Sequence, residues 1–277
     1  MENEIISKTK TYYDSNDADQ FYFHVWGGED IHIGIYELPD ESIFQGSMRT
    51  VQTMASMLGF IDSQMKILDI GSGYGGAARY LASKFRCQVT CLNLSETENE
   101  RNRKRNRELG LDDLISVQTG NFEDLPFEDR SFDIVWSEDA LLHSGDKTQV
   151  FHEVFRVLKP GGDFIFTDPM QKGAPPADVL QPILNRIHLH ELGSFKRYRN
   201  ISSEVGMTCK KTVEMPQQLV AHYSKVLKEI RHRKTELLQY CSEPYLTNME
   251  AGLNHWIKGG ERGHLDWGIL HFTKPHK

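Results

Sequence analysis

The 277-residue chain carries a net charge of −7 with a pI near 5.9, and its length suits one large α/β domain with a sizeable core. It lacks the basic face that phosphates need, which argues against a nucleic-acid partner, and no run approaches about 18 apolar residues, which argues against a membrane partner. No charged segment followed by an apolar one opens the chain, so a cytoplasmic protein is expected, as monomer or homodimer. Cys87, Cys91, Cys209 and Cys241 form no CxxC pair and no His/Cys ligand spacing; reduced thiols and no metal are expected.

Residues 1–64 read as an amino-terminal lid and helix ahead of the core. Tyr12, Tyr13, Phe21, Tyr22, Phe23, Trp26 and Tyr36 crowd around a glycine-bearing segment, Trp26 to Gly34. Most of these rings read as packing, yet aromatic faces suit a cation and Gly27-Gly28 suits a lid. Ile43, Phe44, Met48, Val51, Met54, Ala55 and Leu58 recur at helical spacing. Arg49 lies one step off that stripe and reads either as a surface residue or as a clamp for a substrate carboxylate.

Lys66-Ile67-Leu68-Asp69-Ile70 reads as a buried parallel strand, and the glycines from Gly71 to Gly76 as a turn opening a helix. Gly71 and Gly73 permit positive φ and let a ligand approach the backbone. Gly71, Gly73 and Gly76 match GxGxxG, but Asp69 at the strand's C-terminal edge would repel a pyrophosphate and hold an ammonium or a sulfonium. Its other reading is a cap for the next helix. Gln88-Val89-Thr90-Cys91-Leu92-Asn93 reads as a second strand, ending where such a fold grips ribose hydroxyls. Together these stretches resemble the class I methyltransferases that use S-adenosylmethionine, whose first motif is an acidic residue followed by alternating glycines. In most of that family the ribose residue is acidic; Asn93 stands there, and an amide still hydrogen-bonds a diol. Leu92-Asn93-Leu94-Ser95 resembles the branch with amine and lipid methyltransferases. The basic run Arg101 to Arg107 follows Glu96, Glu98 and Glu100 on a predicted helix and reads as a solvated face.

A third strand over 114–118 leads to Thr119-Gly120-Asn121-Phe122. The resembled family has an Asp here that accepts a hydrogen bond from the adenine amino group, and the carbonyl oxygen of Asn121 is expected to replace it. Leu125-Pro126-Phe127 and Phe132-Asp133-Ile134-Val135-Trp136-Ser137 resemble the family's approach to strand four and its passage along it. In such a fold the next stretch, Ser137 to His143, sits against the methyl group. If it is helical, Asp139 and His143 lie one turn apart on one face. They resemble the Asp and His at that place in phosphoethanolamine and glycine-betaine-pathway methyltransferases, which implies that His143 is a base oriented by Asp139. On the other reading Asp139 is a cap and His143 faces solvent.

Asp146-Lys147-Thr148-Gln149 reads as a capping box, Lys159-Pro160-Gly161-Gly162 as the stop of the helix it opens and a familiar turn of the family, and 164–168 as the fifth strand. Helices over 178–192 and 196–204 and strands over 207–214 and 265–273 complete the pattern. A helical insertion over 216–260 carries His222, Tyr223, Tyr240, Tyr245 and Trp256, which are expected to cover the substrate. The expected fold is α/β: a Rossmann-like class I methyltransferase with a mostly parallel seven-stranded sheet, an N-terminal lid and a helical cap. Its expected divisions are a lid and helix over 1–64, a cofactor-binding core over 65–170, and the rest of the sheet with the cap over 171–277.

Over nearly its full length the chain resembles the sarcosine/dimethylglycine N-methyltransferases, which convert sarcosine to dimethylglycine and dimethylglycine to the osmoprotectant glycine betaine. The segment Trp26-Gly27, Ile31-His32, Gly34 resembles the opening of small-molecule methyltransferases acting on betaine precursors and tocopherol-type quinols. The resemblance implies S-adenosyl-L-methionine as methyl donor, S-adenosyl-L-homocysteine as product, and a small-molecule amine as acceptor. It places Asp69, Gly71, Ser72, Gly73, Asn93, Leu94, Asn121, Phe122 and Ser137 on the cofactor, Tyr22, Trp26, His32 and Arg49 on the substrate, and His143 with Asp139 at the chemistry. Alternatives are a phosphoethanolamine or tocopherol/quinol acceptor, a nicotinamide oxidoreductase, which would need an acid at Asn93, and a binding protein without turnover.

Overall fold

Ile67, Leu68 and Ile70 are fully buried and alternate between two apolar layers, so β1 (Lys66–Ile70) is covered on both faces. In this computed structural model, which describes residues 2–187 and 189–276, β1 pairs in parallel with β2 (Gln88–Asn93) on one side. β3 (Ile115–Thr119) extends that side, and β4 (Phe132–Glu138) and β5 (Leu158–Gln171) extend the other, all parallel. β6 (Thr208–Glu214) and β7 (Leu265–Thr273) close the sheet in the order β3-β2-β1-β4-β5-β7-β6, with β7 antiparallel to both its neighbours. The order reverses between β1 and β4, and the carboxyl ends of those strands open the crevice where this architecture takes its ligand.

Five helices follow the predicted periodicity: α3 (Ile43–Met57), α4 (Gly76–Phe85), α5 (Glu96–Glu108), α6 (Lys147–Val157) and α8 (Phe195–Val205). α7 is shorter than predicted, Ala177–Ile187, and the insertion supplies α9 (Pro216–His232), α10 (Lys234–Leu237) and α11 (Glu243–Glu261). Two helices went unread, α1 (Glu2–Tyr13) and α2 (Asn16–Val25), the latter capped by the Ser15 side chain. Phe21, Val25 and Trp26 pack with Val226, Leu246 and Leu253 in a third apolar cluster. The amino-terminal helices and the insertion therefore form one roof above the strand ends.

Three local expectations fail for identifiable reasons. Lys159 to Gly162 belong to β5 instead of a separate turn: the pairing runs Phe132 to Leu158 and then Ile134 to Asp163, so the extra residues bulge out of the ladder. The box at Asp146 is half made; its carboxylate accepts from Gln149 N, but the Gln149 side chain turns to the Glu123 carbonyl. The basic face of α5 is only partly solvated. Arg101 pairs with Asp19, Arg105 with Glu29 and Arg103 with Glu96, while Asn99, Asn102 and Asn106 are buried. Lys104 and Arg107 keep the solvated role.

Candidate active site

The turn after β1 shapes the floor. Gly71 has φ +73, and a Cβ built there would stand 2.3 Å from the Cβ of Ala140, so only glycine fits. Around this turn a cavity is lined by Asp69, Gly71, Ser72, Gly73, Asn93, Leu94, Asn121 and Phe122. Eight of the nine residues expected on the cofactor thus share one compartment. Ser137 does not: it is fully buried, and its Oγ donates to the Ile70 carbonyl at 2.8 Å, tying β4 to β1. Its neighbour Glu138 lines the cavity instead.

Two departures from the expected residue types are explained locally. Asn93 Nδ2 donates to Glu98 Oε2 at 2.7 Å, and Glu98 also lines the cavity, so a carboxylate is restored one turn into α5. Burial pushes that carboxyl up to about 8. At Asn121 the expected free carbonyl already accepts from Glu123 N at 3.0 Å, an Asx-type turn that fixes the loop.

Acidic side chains concentrate here. Asp30, Asp69, Glu138 and Asp139 all line the compartment around one imidazole, His32. His32 Nε2 lies 3.5 Å from Asp30 and 3.4 Å from Glu138. Burial alone would lower this imidazole, but Glu138, Asp30 and Asp139 outweigh it and raise it to about 10, so it stands protonated. Burial, reinforced by Asp30, lifts Asp69 to about 7 and also raises Glu138. Asp30 Oδ2 and Glu138 Oε1 are buried without hydrogen-bond partners among the described residues. Ligand atoms of Asp30, His32 and Glu138 approach within 4.8 Å of one another, a compact cluster of two carboxyl groups about one imidazolium. The donors fit an ammonium and sulfonium ligand: a glycine-built floor, an amide and carboxylate for a diol, and an excess of buried acid.

A second cavity adjoins the first, and both are lined by Tyr13, Ile31, His32, Asp139 and His143. Tyr22 and Trp26 line it, as do Tyr12, Tyr223, Trp256 and Arg186. Tyr13 stacks on Tyr22 with ring centroids 5.8 Å apart, and Trp26 meets Tyr22 edge-on at 5.0 Å. These rings make a wall of π faces, suited to an onium nitrogen. Of the insertion residues expected over the substrate, Tyr223 and Trp256 line the cavity. Tyr245 stands behind it on Tyr12, His222 is tied to Gly34 N and the Tyr36 hydroxyl, and Tyr240 is outside, stacked on His24.

Arg49 is not in either compartment. Its guanidinium pairs with Glu41 and donates to the Ile35 carbonyl at 2.8 Å, holding the loop before α3. That contact corrects the expected clamp. The stretch after β4 is also not an α-helix. Asp139 takes φ +50, and Leu141–His143 form a single 3-10 turn. Asp139 consequently orients other groups, accepting from Ile33 N at 2.6 Å and from Trp267 Nε1 at 2.8 Å. His143 Nε2 instead meets the Tyr13 hydroxyl at 3.1 Å. Asp168 accepts from Leu142 N, and Lys147 Nζ donates to the Leu142 and Ser144 carbonyls, locking the turn. Burial, together with the Lys147 charge, pulls His143 down to about 4, so the ring is neutral near pH 7.

Sequence reasoning missed Tyr13 and Arg186. In the sequence Tyr13 is one ring of the amino-terminal aromatic crowd with nothing to single it out, because nothing marks 1–13 as an amphipathic helix. Arg186 lies in a segment with no motif at all.

Residues 68–166 match the family described as a methyltransferase domain. The chain is 49% identical over 271 residues, 98% of each chain, to a sarcosine/dimethylglycine N-methyltransferase of Aphanothece halophytica. It is 47% identical to the enzyme of the same name from Halorhodospira halochloris, covering 99% of this chain and 98% of that one. A solved structure from Galdieria sulphuraria, provisionally named a sarcosine dimethylglycine methyltransferase, matches with TM-score 0.91 and 47% identity over 96% of this chain and all of that one.

Proposed function

From the premise that the chain belongs to the sarcosine/dimethylglycine N-methyltransferases, we propose that it transfers methyl groups from S-adenosylmethionine to sarcosine and dimethylglycine, with glycine betaine as the final product. The observation that carries this reading is the shared rim of Tyr13, Ile31, His32, Asp139 and His143 between an acidic compartment and an aromatic one. When bound, the donor supplies an activated methyl on its sulfonium. The chain's own residues then have three tasks.

The first is to hold the donor. Asp69, Asp30 and Glu138 would hold its cationic groups, Asn93 with Glu98 the ribose diol, and the Gly71 turn would leave room for it to approach the backbone. The second is to present a neutral amine. An amine is mostly protonated near pH 7 and has no lone pair to give; burial in this compartment favours the uncharged form, and Asp139, the carboxylate on its rim, is already engaged by Ile33 N and Trp267 Nε1. The third is orientation. His143, neutral and bonded to Tyr13, offers its other edge to the compartment rim. With a basicity near 4 it is a weak proton acceptor, so its contribution is to align the attacking nitrogen; proton loss after the sarcosine step passes to solvent.

The deciding test is labelled-methyl transfer to glycine, sarcosine, dimethylglycine and phosphoethanolamine, run in parallel with product masses. Turnover of sarcosine and dimethylglycine supports the assignment. Transfer only to phosphoethanolamine, or donor binding without transfer, refutes it.

A further inference from the structure

Resting on the reading that the acceptor is an N-methylated amino acid, we infer that Arg186 is the specificity residue that clamps its carboxylate and that Gly252 exists to let it do so. Sarcosine and dimethylglycine each carry one carboxylate, and desolvating it in an apolar cavity demands a cation. The other basic side chains lining that cavity have different situations. Lys8 is exposed, His32 is committed to Asp30 and Glu138, and His143 is neutral. Among the described residues lining that cavity, Arg186 on α7 is the half-buried, permanently charged one.

Its surroundings are unusual for a half-buried guanidinium. No carboxylate pairs with it among the described residues, and its Nη2 donates to a thioether, Met249 Sδ, at 2.9 Å. A guanidinium has five N–H donors, and a thioether is a weak acceptor, so the fork has capacity left for a bidentate anion. Tyr12, Tyr22 and Tyr223 line the same cavity as its guanidinium, and so does Tyr13, the partner of His143. An α-amino acid separates its nitrogen from its carboxylate by one carbon. Arg186 lines the same cavity as Tyr13 and His143, so a carboxylate clamped there keeps the nitrogen in the compartment that those two residues border.

Gly252 supplies an independent observation. It sits inside α11 with ordinary helical geometry, where alanine would be the better helix former. A Cβ there would lie 2.6 Å from Arg186 Cδ and Nε and 2.9 Å from Cζ. The missing side chain is the space the guanidinium occupies.

The experiment measures kcat and KM for dimethylglycine and for N,N-dimethylethanolamine, a tertiary amine without a carboxylate, in wild type, Arg186→Met, Arg186→Lys and Gly252→Ala. Donor binding is followed separately by calorimetry. Losing a desolvated charge pair is expected to raise the dimethylglycine KM about a hundredfold in Arg186→Met, less in Arg186→Lys, with donor affinity kept within about twofold. Gly252→Ala, which leaves every charge in place, is expected to raise the same KM about tenfold by displacing the fork. Any activity on N,N-dimethylethanolamine stays level or rises. An unchanged dimethylglycine KM in Arg186→Met overturns the clamp, as does equal loss of donor binding. Wild-type failure on both sarcosine and dimethylglycine overturns the underlying functional reading instead.

Discussion

At the residue scale the chemistry turns on which groups are charged. Asp69 and Glu138 have folded values raised above the ordinary carboxyl range by burial, Asp69 to about 7. A raised acid contributes stability fully below about pH 4, and that contribution is lost as pH rises through the folded value. The donor-free protein should therefore lose melting temperature between pH 5 and about 8 from this source. Donor binding moves the other way, because its cationic groups need these carboxylates ionised. Titration calorimetry across that range should show S-adenosylmethionine affinity rising with pH and protons released on binding; affinity independent of pH would remove the acidic cluster from the cofactor site.

His143→Asn is expected to lower kcat by roughly tenfold to a hundredfold while donor affinity stays nearly level, and Tyr13→Phe to follow it at smaller size. Equal loss of rate and donor affinity would make both residues structural. That Asp139 and His143 take different partners was not recoverable from spacing: the i, i+4 argument holds only on an α-helix, and a positive φ at Asp139 diverts the chain before a helical turn forms.

At the element scale, β1, its glycine turn and β2 were legible because each feature follows from local physics: apolar residues buried on both faces, glycine where φ is positive, a polar end at the ligand edge. Gly71→Ala should cost about 1–2 kcal/mol from the left-handed backbone alone, more from the contact with Ala140, and should abolish donor binding. Retained affinity in a fluorescence or calorimetric titration would contradict the floor described for the site. α1 was illegible for the converse reason. Its tyrosines face cavities and one another, so no continuous stripe at helical spacing marks it. α5 was legible as a helix but not in its packing, since buried asparagines and paired arginines look on paper like a solvated face.

At the scale of the whole molecule, the roof is tied to the core by charge as much as by apolar contact. Arg101 forks onto buried Asp19 at 2.5 Å, and Asp17 accepts from Ser242 N at 2.9 Å, joining α2 to α5 and to the insertion. Arg101→Met leaves Asp19 buried without its cation and should destabilise the fold by roughly 2 kcal/mol. In urea unfolding this appears as a lower midpoint, and in kinetics as higher KM for acceptor and donor alike, because the roof bears on both compartments. A shift in neither would detach the roof from function. The roof's membership could not be read from the sequence: it joins residues 12–26 with 219–257 through contacts that only the closed sheet brings together.

The measurement that bears most directly on the whole account is a crystal structure with S-adenosylhomocysteine and dimethylglycine bound together. The account predicts the nucleoside product in the acidic compartment on the Gly71 turn, the acceptor nitrogen at the rim formed by Tyr13 and His143, and its carboxylate on Arg186. Dimethylglycine outside the aromatic compartment, or with its nitrogen turned away from that rim, would contradict it.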